Sequence, residues 1–201
     1  RYELRALSAQ INPHFLYNTL DTIVWMAEFN DSKRVVEVTK SLAQYFRLAL
    51  NQGHEQIALK DEIDHVRQYL FIQKQRYGDK LQYEIEEDES LADYKLPKLV
   101  LQPLVENAIY HGIKEIDRQG MIRVTSKAEE GQLILSIYDN GRGIDLRDST
   151  DTTLPRLGGV GLKNVNQRLR LQFGEDYHME IQSEPNTFTQ ISLYLPLDSD
   201  D

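Results

Sequence analysis

The sequence has no cysteine among its 201 residues. That absence excludes a disulfide framework, a Cys-ligated zinc or iron–sulfur centre, and thiol catalysis. No apolar run approaches the roughly 18 residues that a membrane-spanning helix needs. Basic side chains are in deficit, 23 against 32 acidic, for a formal net charge of −9. A nucleic-acid-binding domain would show the opposite bias on at least one face. Glycine is missing from the first stretch altogether, the first being Gly53, so that stretch reads as helical. No signal peptide is recognisable, and a start at Arg1 rather than Met gives the expectation of a fragment of a longer protein. What is present suffices for a core: 40% of the residues are hydrophobic, which argues against wholesale disorder. The length fits one or two domains.

Residues 1–53 read as two helices. Leu4, Leu7 and Ile11 recur at steps of three and four, the helical spacing. Pro13 removes a backbone donor and crowds the carbonyl four residues earlier, which predicts a kink. Beyond it the expected apolar stripe is Leu16, Leu20, Ile23 and Ala27, with His14, Asn18 and Asp21 on another side. Asn30-Asp31-Ser32 forms a turn with a cap candidate. Val35, Val38, Leu42, Tyr45 and Ala49 follow at heptad spacing. A hairpin with one apolar seam leaves its outer face uncovered, and pairing two copies into a four-helix bundle covers it. A homodimer through residues 1–53 is therefore expected.

Residues 54–201 read as a second unit, led by a helix within 54–79 that stops at Gly78. Alternation at Leu81, Tyr83 and Ile85 predicts a strand. A helix is expected over 97–112 with Pro97 at its start, then strands near 121–128 and 132–138. Residues 145–158 are polar and read as a loop. A helix from Gly161 to about Phe173 and strands near 178–183 and 188–195 complete an α+β layer, with helices on one face of a mostly antiparallel sheet.

Three elements in this unit carry chemistry as a set. Glu106-Asn107-Ala108 lies on a helix, with His111 one turn on. Asp139-Asn140-Gly141-Arg142-Gly143 ends a strand, and Gly158-Gly159-Val160-Gly161-Leu162 opens a helix. Glycines opening a helix leave backbone donors free to face phosphates, aided by the helix dipole. An amide oxygen can ligate magnesium, which prefers oxygen and bridges nucleotide phosphates. A carboxylate flanked by glycines can accept from an exocyclic amine such as that of adenine. The set is neither a Walker loop nor a dinucleotide fingerprint.

This triplet resembles the N, G1 and G2 boxes of the Bergerat-fold ATP-binding domain, an α/β sandwich shared by histidine kinases, type II topoisomerases, heat-shock chaperones and mismatch-repair ATPases. The resemblance implies ATP and Mg²⁺ as cofactors, Asn107 as the Mg²⁺ ligand, and Asp139 with Thr189 reading the adenine. It also implies Gly141 and Gly143 in the loop beside the base, and Gly159, Val160, Gly161 and Leu162 around the phosphates, with His111 and Lys163 nearby. Phe188 stands where that superfamily has glycine, and Pro103 stands where its hydrolases have their general-base glutamate. Glu106, next to Asn107, points about a hundred degrees away around a helix.

The hairpin narrows the resemblance. Gln10-Ile11-Asn12-Pro13-His14-Phe15-Leu16-Tyr17-Asn18 is similar to the phosphoacceptor box of sensor histidine kinases of the LytS/YesM type. Leu101-Gln102-Pro103-Leu104-Val105-Glu106-Asn107-Ala108 and Gly161-Leu162-Lys163-Asn164-Val165 are similar to the same group's N box and G2 region. The implied reaction is transfer of the ATP γ-phosphoryl group to a neutral ring nitrogen of His14, then to an aspartate of a response regulator. Asn18 would orient the ring. The base is unassigned, with Glu106 a candidate on domain closure, and a hinge is expected near Gln52-Gly53-His54. His54, His65, His178, Arg142 and Arg168 read as ordinary structural or solvated residues. By resemblance the parent would carry a membrane sensor upstream, making this the cytoplasmic output end. Two other functions stand beside this one: an ATP-binding module that signals by conformation alone, and an ATP hydrolase, which Pro103 disfavours.

Overall fold

A computed structural model describes residues 12–49, 56–145 and 160–197. Leu4, Leu7 and Ile11 of the first apolar repeat, and the hinge expected at residues 52–54, lie outside these residues.

Helix α1 spans Pro13–Glu28. Instead of kinking at Pro13, it begins there. Asn12 is extended (φ −70°, ψ 106°), and its Oδ1 accepts from the amides of His14 at 3.1 Å and Phe15 at 3.4 Å. An Asn cap with proline at the first helical position is a strong start signal. The fully buried residues of α1 are Phe15, Thr19 and Met26. Of the expected Leu16–Leu20–Ile23–Ala27 stripe, Leu16 and Ile23 are half-buried and pack against the core, while Leu20 and Ala27 face solvent. Leu20 is 44% exposed, and Thr19 is tolerated inside because its hydroxyl donates to Phe15 O at 2.8 Å. Helix α2, Ser32–Ala49, is capped by Asp31, which accepts from the Arg34 amide at 3.2 Å. It buries Val38, Leu42, Tyr45 and Ala49, as its heptad spacing predicts.

Strand β1, Gln56–Ala58, pairs antiparallel with β3, Lys95–Pro97. This ribbon was not anticipated, since three residues are too few for a periodic pattern. Helix α3, Leu59–Tyr77, ends at Gly78 with φ 58°. Strand β2 is Leu81–Glu86, and α4, Leu101–Asn107, runs straight into a π-helical turn, Ala108–Gly112.

The expected helix start at Pro97 is corrected by this arrangement. Pro97 closes β3, Leu99 turns the chain with φ 58°, and α4 begins at Leu101. The cause is Glu62 on α3. Its carboxylate accepts from the amides of Leu99, Val100 and Leu101 at 2.9, 2.6 and 2.8 Å. It caps α4 from a distance, where the helix's own free amides demand an acceptor.

Strands β4 (Gly120–Glu129) and β5 (Gln132–Asp139) form a hairpin through Glu130 and Gly131, both at positive φ. Helix α5 is Val160–Phe173, and β6 (His178–Glu184) and β7 (Phe188–Pro196) finish the chain. The sheet order is β2-β4-β5-β7-β6, with β2 and β4 parallel and the other neighbours antiparallel. Helices α3, α4 and α5 supply Val66, Leu70, Leu104, Val105 and Leu169 to a core shared with Leu133, Leu135, Ile137, Leu193 and Leu195 of the sheet. The α+β architecture expected from the sequence is present. Phe15 joins the hairpin to this core, its ring 4.9 Å from those of both Tyr45 and Tyr69. Among the described residues no helix is long and apolar enough to cross a membrane.

Candidate functional site

Alternation along β5 and β7 sets the first half of the site. Leu133, Leu135, Ile137 and Asp139 share the buried face of β5, opposite Leu195, Leu193, Ile191 and Thr189 of β7. The row of core residues thus ends in a polar pair, Asp139 and Thr189, on neighbouring strands. Asp139 is 5% exposed. Burial pushes its carboxyl up to about 7, against the Gly141 amide that donates to Oδ1 at 2.9 Å. Thr189 Oγ1 lies 3.0 Å from Ser183 Oγ, which also receives the Ile144 amide at 2.9 Å and donates to Phe188 O at 2.8 Å.

The second half comes from α4 and its π turn. Asn107 and His111 join Asp139 and Thr189 around one pocket, with Leu104, Ile137, Ile144 and Ile191 as apolar walls. Asn107 Nδ2 is buried without a hydrogen-bond partner. The extra residue of a π turn, frequent at functional sites, brings Gly112 over the carboxylate. A Cβ on Gly112 would sit 2.4 Å from Asp139 Oδ1, and one on Gly141 would sit 2.4 Å from Gly112 Cα. Both close approaches require glycine.

Four of the expected ligand-facing residues, Asn107, His111, Asp139 and Thr189, therefore meet in one place, and Gly141 abuts it. Gly143 does something else. Its φ is 61° and a Cβ there would lie 1.9 Å from Glu184 O, so it seats the loop on the β6–β7 turn. Leu162 is 1% exposed and packs in the core. Gly161 faces Pro103, and Lys163 is exposed. Val160 is the first residue of α5. Gly159 lies outside the described residues.

Sequence reasoning missed three residues that shape this pocket. Gly112 carried a signal, a glycine inside a helical pattern. Ser183 carried none. Arg118 holds the loop after β5, its Nη2 lying 2.5 Å from Asn140 O and 3.1 Å from both Gly141 O and Asn186 O. Arg142 is exposed, and Arg168 donates to Lys98 O at 2.7 Å, both as ordinary residues. His65 is buried against Tyr45, ring centroids 4.4 Å apart, and burial lowers it to about 4.

His14 sits exposed in the first turn of α1. Asn18, one turn on, places Nδ2 3.0 Å from His14 Nδ1 and 3.1 Å from Nε2, so the expected pair is formed. The centroid of the His14 ring lies 6.5 Å from that of Tyr110 of the π turn, the ring planes at 54° to each other. Tyr110 lies between Asn107 and His111 in sequence, so the histidine stands beside the helix that lines the pocket.

Comparison with known proteins agrees with this arrangement. Residues 2–81 match the family model described as histidine kinase, and residues 92–199 match the one described as histidine kinase-, DNA gyrase B-, and HSP90-like ATPase. The chain is 38% identical over 194 residues, 96% of its length, to sensor histidine kinase YesM of Bacillus subtilis. It spans about a third (33%) of that relative. Solved structures share the fold. The histidine kinase domain of an Erythrobacter litoralis blue-light activated histidine kinase aligns at TM-score 0.54 and 19% identity, over 96% of this chain and 93% of that one. Histidine kinase ThkA, solved in complex with response regulator protein TrrA, aligns at TM-score 0.52 and 16% identity, over 86% of this chain and 50% of that one. The chain belongs to the histidine kinase family.

Proposed function

We propose that this chain is the kinase core of a two-component sensor: it binds Mg²⁺-ATP, transfers the γ-phosphoryl group to His14, and passes it to an aspartate of a response regulator. The observation that carries the reading is the placement of the His14–Asn18 pair against Tyr110, on the same π turn whose neighbours Asn107 and His111 line the pocket.

In this reading Asp139 accepts from the adenine amine, with Thr189 beside it. The apolar walls Leu104, Ile137 and Ile191 flank the ring. Among the described residues no cluster of three or more His, Asp or Glu could hold a metal by itself. Asn107 would offer its amide Oδ1 to an octahedral cation that brings phosphate oxygens and waters of its own, and its buried Nδ2, which has no protein partner, would be free to donate to a phosphate or water. Mg²⁺ so held would neutralise phosphate charge. The helix start at Val160 and Gly161 supplies free backbone donors to the same phosphates. Asn18, whose Nδ2 lies 3.0 and 3.1 Å from the two ring nitrogens of His14, would orient the imidazole. Positioning and charge neutralisation supply most of the catalysis in such transfers. The net charge of −9 does not oppose ATP binding, because the phosphates meet a cation and backbone amides rather than a basic surface.

The chain works as a homodimer in this reading. Tyr17, Leu20 and Val24 form an exposed apolar row on α1, and Trp25, Phe29 and Val36 are exposed beside it. A second hairpin would bury them. Residues 1–53 form the dimerising, phosphoaccepting unit and 54–201 the ATP-binding unit. The parent protein carries its sensor and membrane attachment outside this chain, which acts on the cytoplasmic side. The ThkA–TrrA complex supports a response regulator as the acceptor.

The test is incubation with Mg²⁺ and γ-labelled ATP. Acid-labile, alkali-stable label that disappears in His14→Gln is expected. Label that survives His14→Gln refutes the assignment. Nucleotide binding without any phosphohistidine would favour the conformational module, and steady phosphate release indifferent to His14→Gln would favour a hydrolase.

A further inference from the structure

The polar edge of the pocket is one row of the sheet. Asp139 on β5 stands directly opposite Thr189 on β7, and Thr189 stands directly opposite Ser183 on β6. Residues opposite one another share a face, with Cβ atoms about 5 Å apart. Asp139 and Thr189 line the pocket, and Ser183 stands on the far side of Thr189, on the edge strand. Ser183 also holds a pocket wall, because its hydroxyl accepts from the amide of Ile144, another lining residue.

The protons available to each group fix the direction of every bond at Ser183. A hydroxyl has one proton to give and two lone pairs to receive. The Ile144 amide can only donate, so it takes one lone pair of Ser183 Oγ, at 2.9 Å. The Phe188 carbonyl can only accept, so it takes the Ser183 proton, at 2.8 Å. What remains for the 3.0 Å contact with Thr189 Oγ1 is the second lone pair of Ser183. The Thr189 hydroxyl therefore gives its own proton to Ser183 and turns only lone pairs toward the pocket. Ionised Asp139 is an acceptor only as well.

We infer that Ser183 is a positioning residue that sets base specificity: by holding the proton of Thr189 it makes the base-reading edge a pair of acceptors with no hydroxyl donor. The inference rests on the reading of this pocket as the ATP site. A base edge with an exocyclic amine, as in adenine, brings N–H donors to that pair. A 6-oxo edge, as in hypoxanthine, sets lone pairs against lone pairs, and acceptors buried without a donor are costly. Without Ser183 the Thr189 hydroxyl is free to turn, and it can then donate to a 6-oxo group.

ATP and inosine triphosphate differ only at this edge, so their relative affinity reads it. Calorimetry with Mg²⁺ at about pH 8, where the Asp139 carboxyl, pushed up to about 7, is ionised, should show wild type preferring ATP by about 100-fold. Ser183→Ala should cut that preference by about tenfold, through tighter binding of inosine triphosphate, with ATP affinity held within about threefold. Thr189→Val keeps the shape without the hydroxyl and should also lower the preference. Adding Ser183→Ala to Thr189→Val should then leave the ratio unchanged within about twofold, since no hydroxyl proton remains to be held. Equal changes for both nucleotides in Ser183→Ala, which a mere seat for the loop after β5 would give, overturn the inference. A further fall of the ratio in the double variant overturns it too. A measurement without nucleotide separates this inference from the ATP reading. The Thr189 hydroxyl proton should be protected from exchange in NMR spectra of the wild type and lose that protection in Ser183→Ala. If wild type binds neither nucleotide, the ATP reading fails. A Thr189 hydroxyl proton that exchanges as fast in wild type as in Ser183→Ala overturns the role of Ser183 by itself.

Discussion

The hairpin and the ATP-binding layer handle apolar surface in opposite ways. The layer closes on itself: of its large apolar side chains only Leu171 is strongly exposed among the described residues. The hairpin leaves Tyr17, Leu20, Val24, Trp25, Phe29 and Val36 in solvent. One region is a finished fold with a polar pocket at the edge of its core. The other leaves an apolar face uncovered, which the proposed dimer would bury, and it carries exposed His14, the proposed acceptor. The difference teaches that the two regions should fail separately: damage to the layer removes nucleotide binding, and damage to the hairpin face removes assembly while leaving nucleotide binding intact.

Glu62→Ala is the strongest way to break the layer. It strands three amides at the start of α4, two of them buried and that of Leu99 part-buried, each costing about 1–3 kcal/mol. A loss of about 5 kcal/mol in denaturant unfolding is expected, with α4 and its pocket lost together.

Next comes pH. The Asp139 carboxyl is raised from 3.8 to about 7 in the folded, ligand-free protein. A group raised on folding contributes stability that is full below about pH 4 and is lost as pH rises through about 7. The swing is about 4 kcal/mol at most. Asp139→Asn should flatten that slope in pH-dependent unfolding. In wild type, ATP affinity should rise with pH through the same window, because adenine needs the ionised carboxylate.

Leu20→Glu combined with Val24→Glu should then weaken the proposed dimer by about 3 kcal/mol, from the apolar burial removed. Light scattering across a dilution series would show the shift to monomer, with ATP affinity unchanged. The mildest effect is on affinity alone. Asp139→Ala should weaken ATP binding by about 100-fold, through loss of a charge-assisted hydrogen bond. The mass of the assembly should not change.

The same contrast explains what could be read from the sequence. The heptad of α2 and the alternation of β5 and β7 were legible because each buries a face within one chain. The expected stripe on α1 holds at Leu16 and Ile23, which pack against the core, and fails at Leu20 and Ala27, which do not. Leu20 and Val24 are spaced like core residues but face outward, while Phe15, Thr19 and Met26 pack within the chain. A sequence does not say which of two apolar faces meets its own chain. The start of α4 was misplaced because its cap, Glu62, lies 37 to 39 residues away. Asn107, His111 and Asp139 were legible through the order of their short motifs, and Thr189 only through the family resemblance. Ser183 and Arg118 act by long-range hydrogen bonds that no local pattern marks.

The most direct test is to locate the phosphoryl group. The protein is incubated with Mg²⁺-ATP, kept alkaline, cleaved, and its peptides mapped by mass spectrometry. The account predicts phosphate on His14 alone, absent when Asp139 is replaced by Ala and ATP is held below the variant's weakened affinity. Phosphate on His111 or another residue, or on none while ATP is bound, would contradict it.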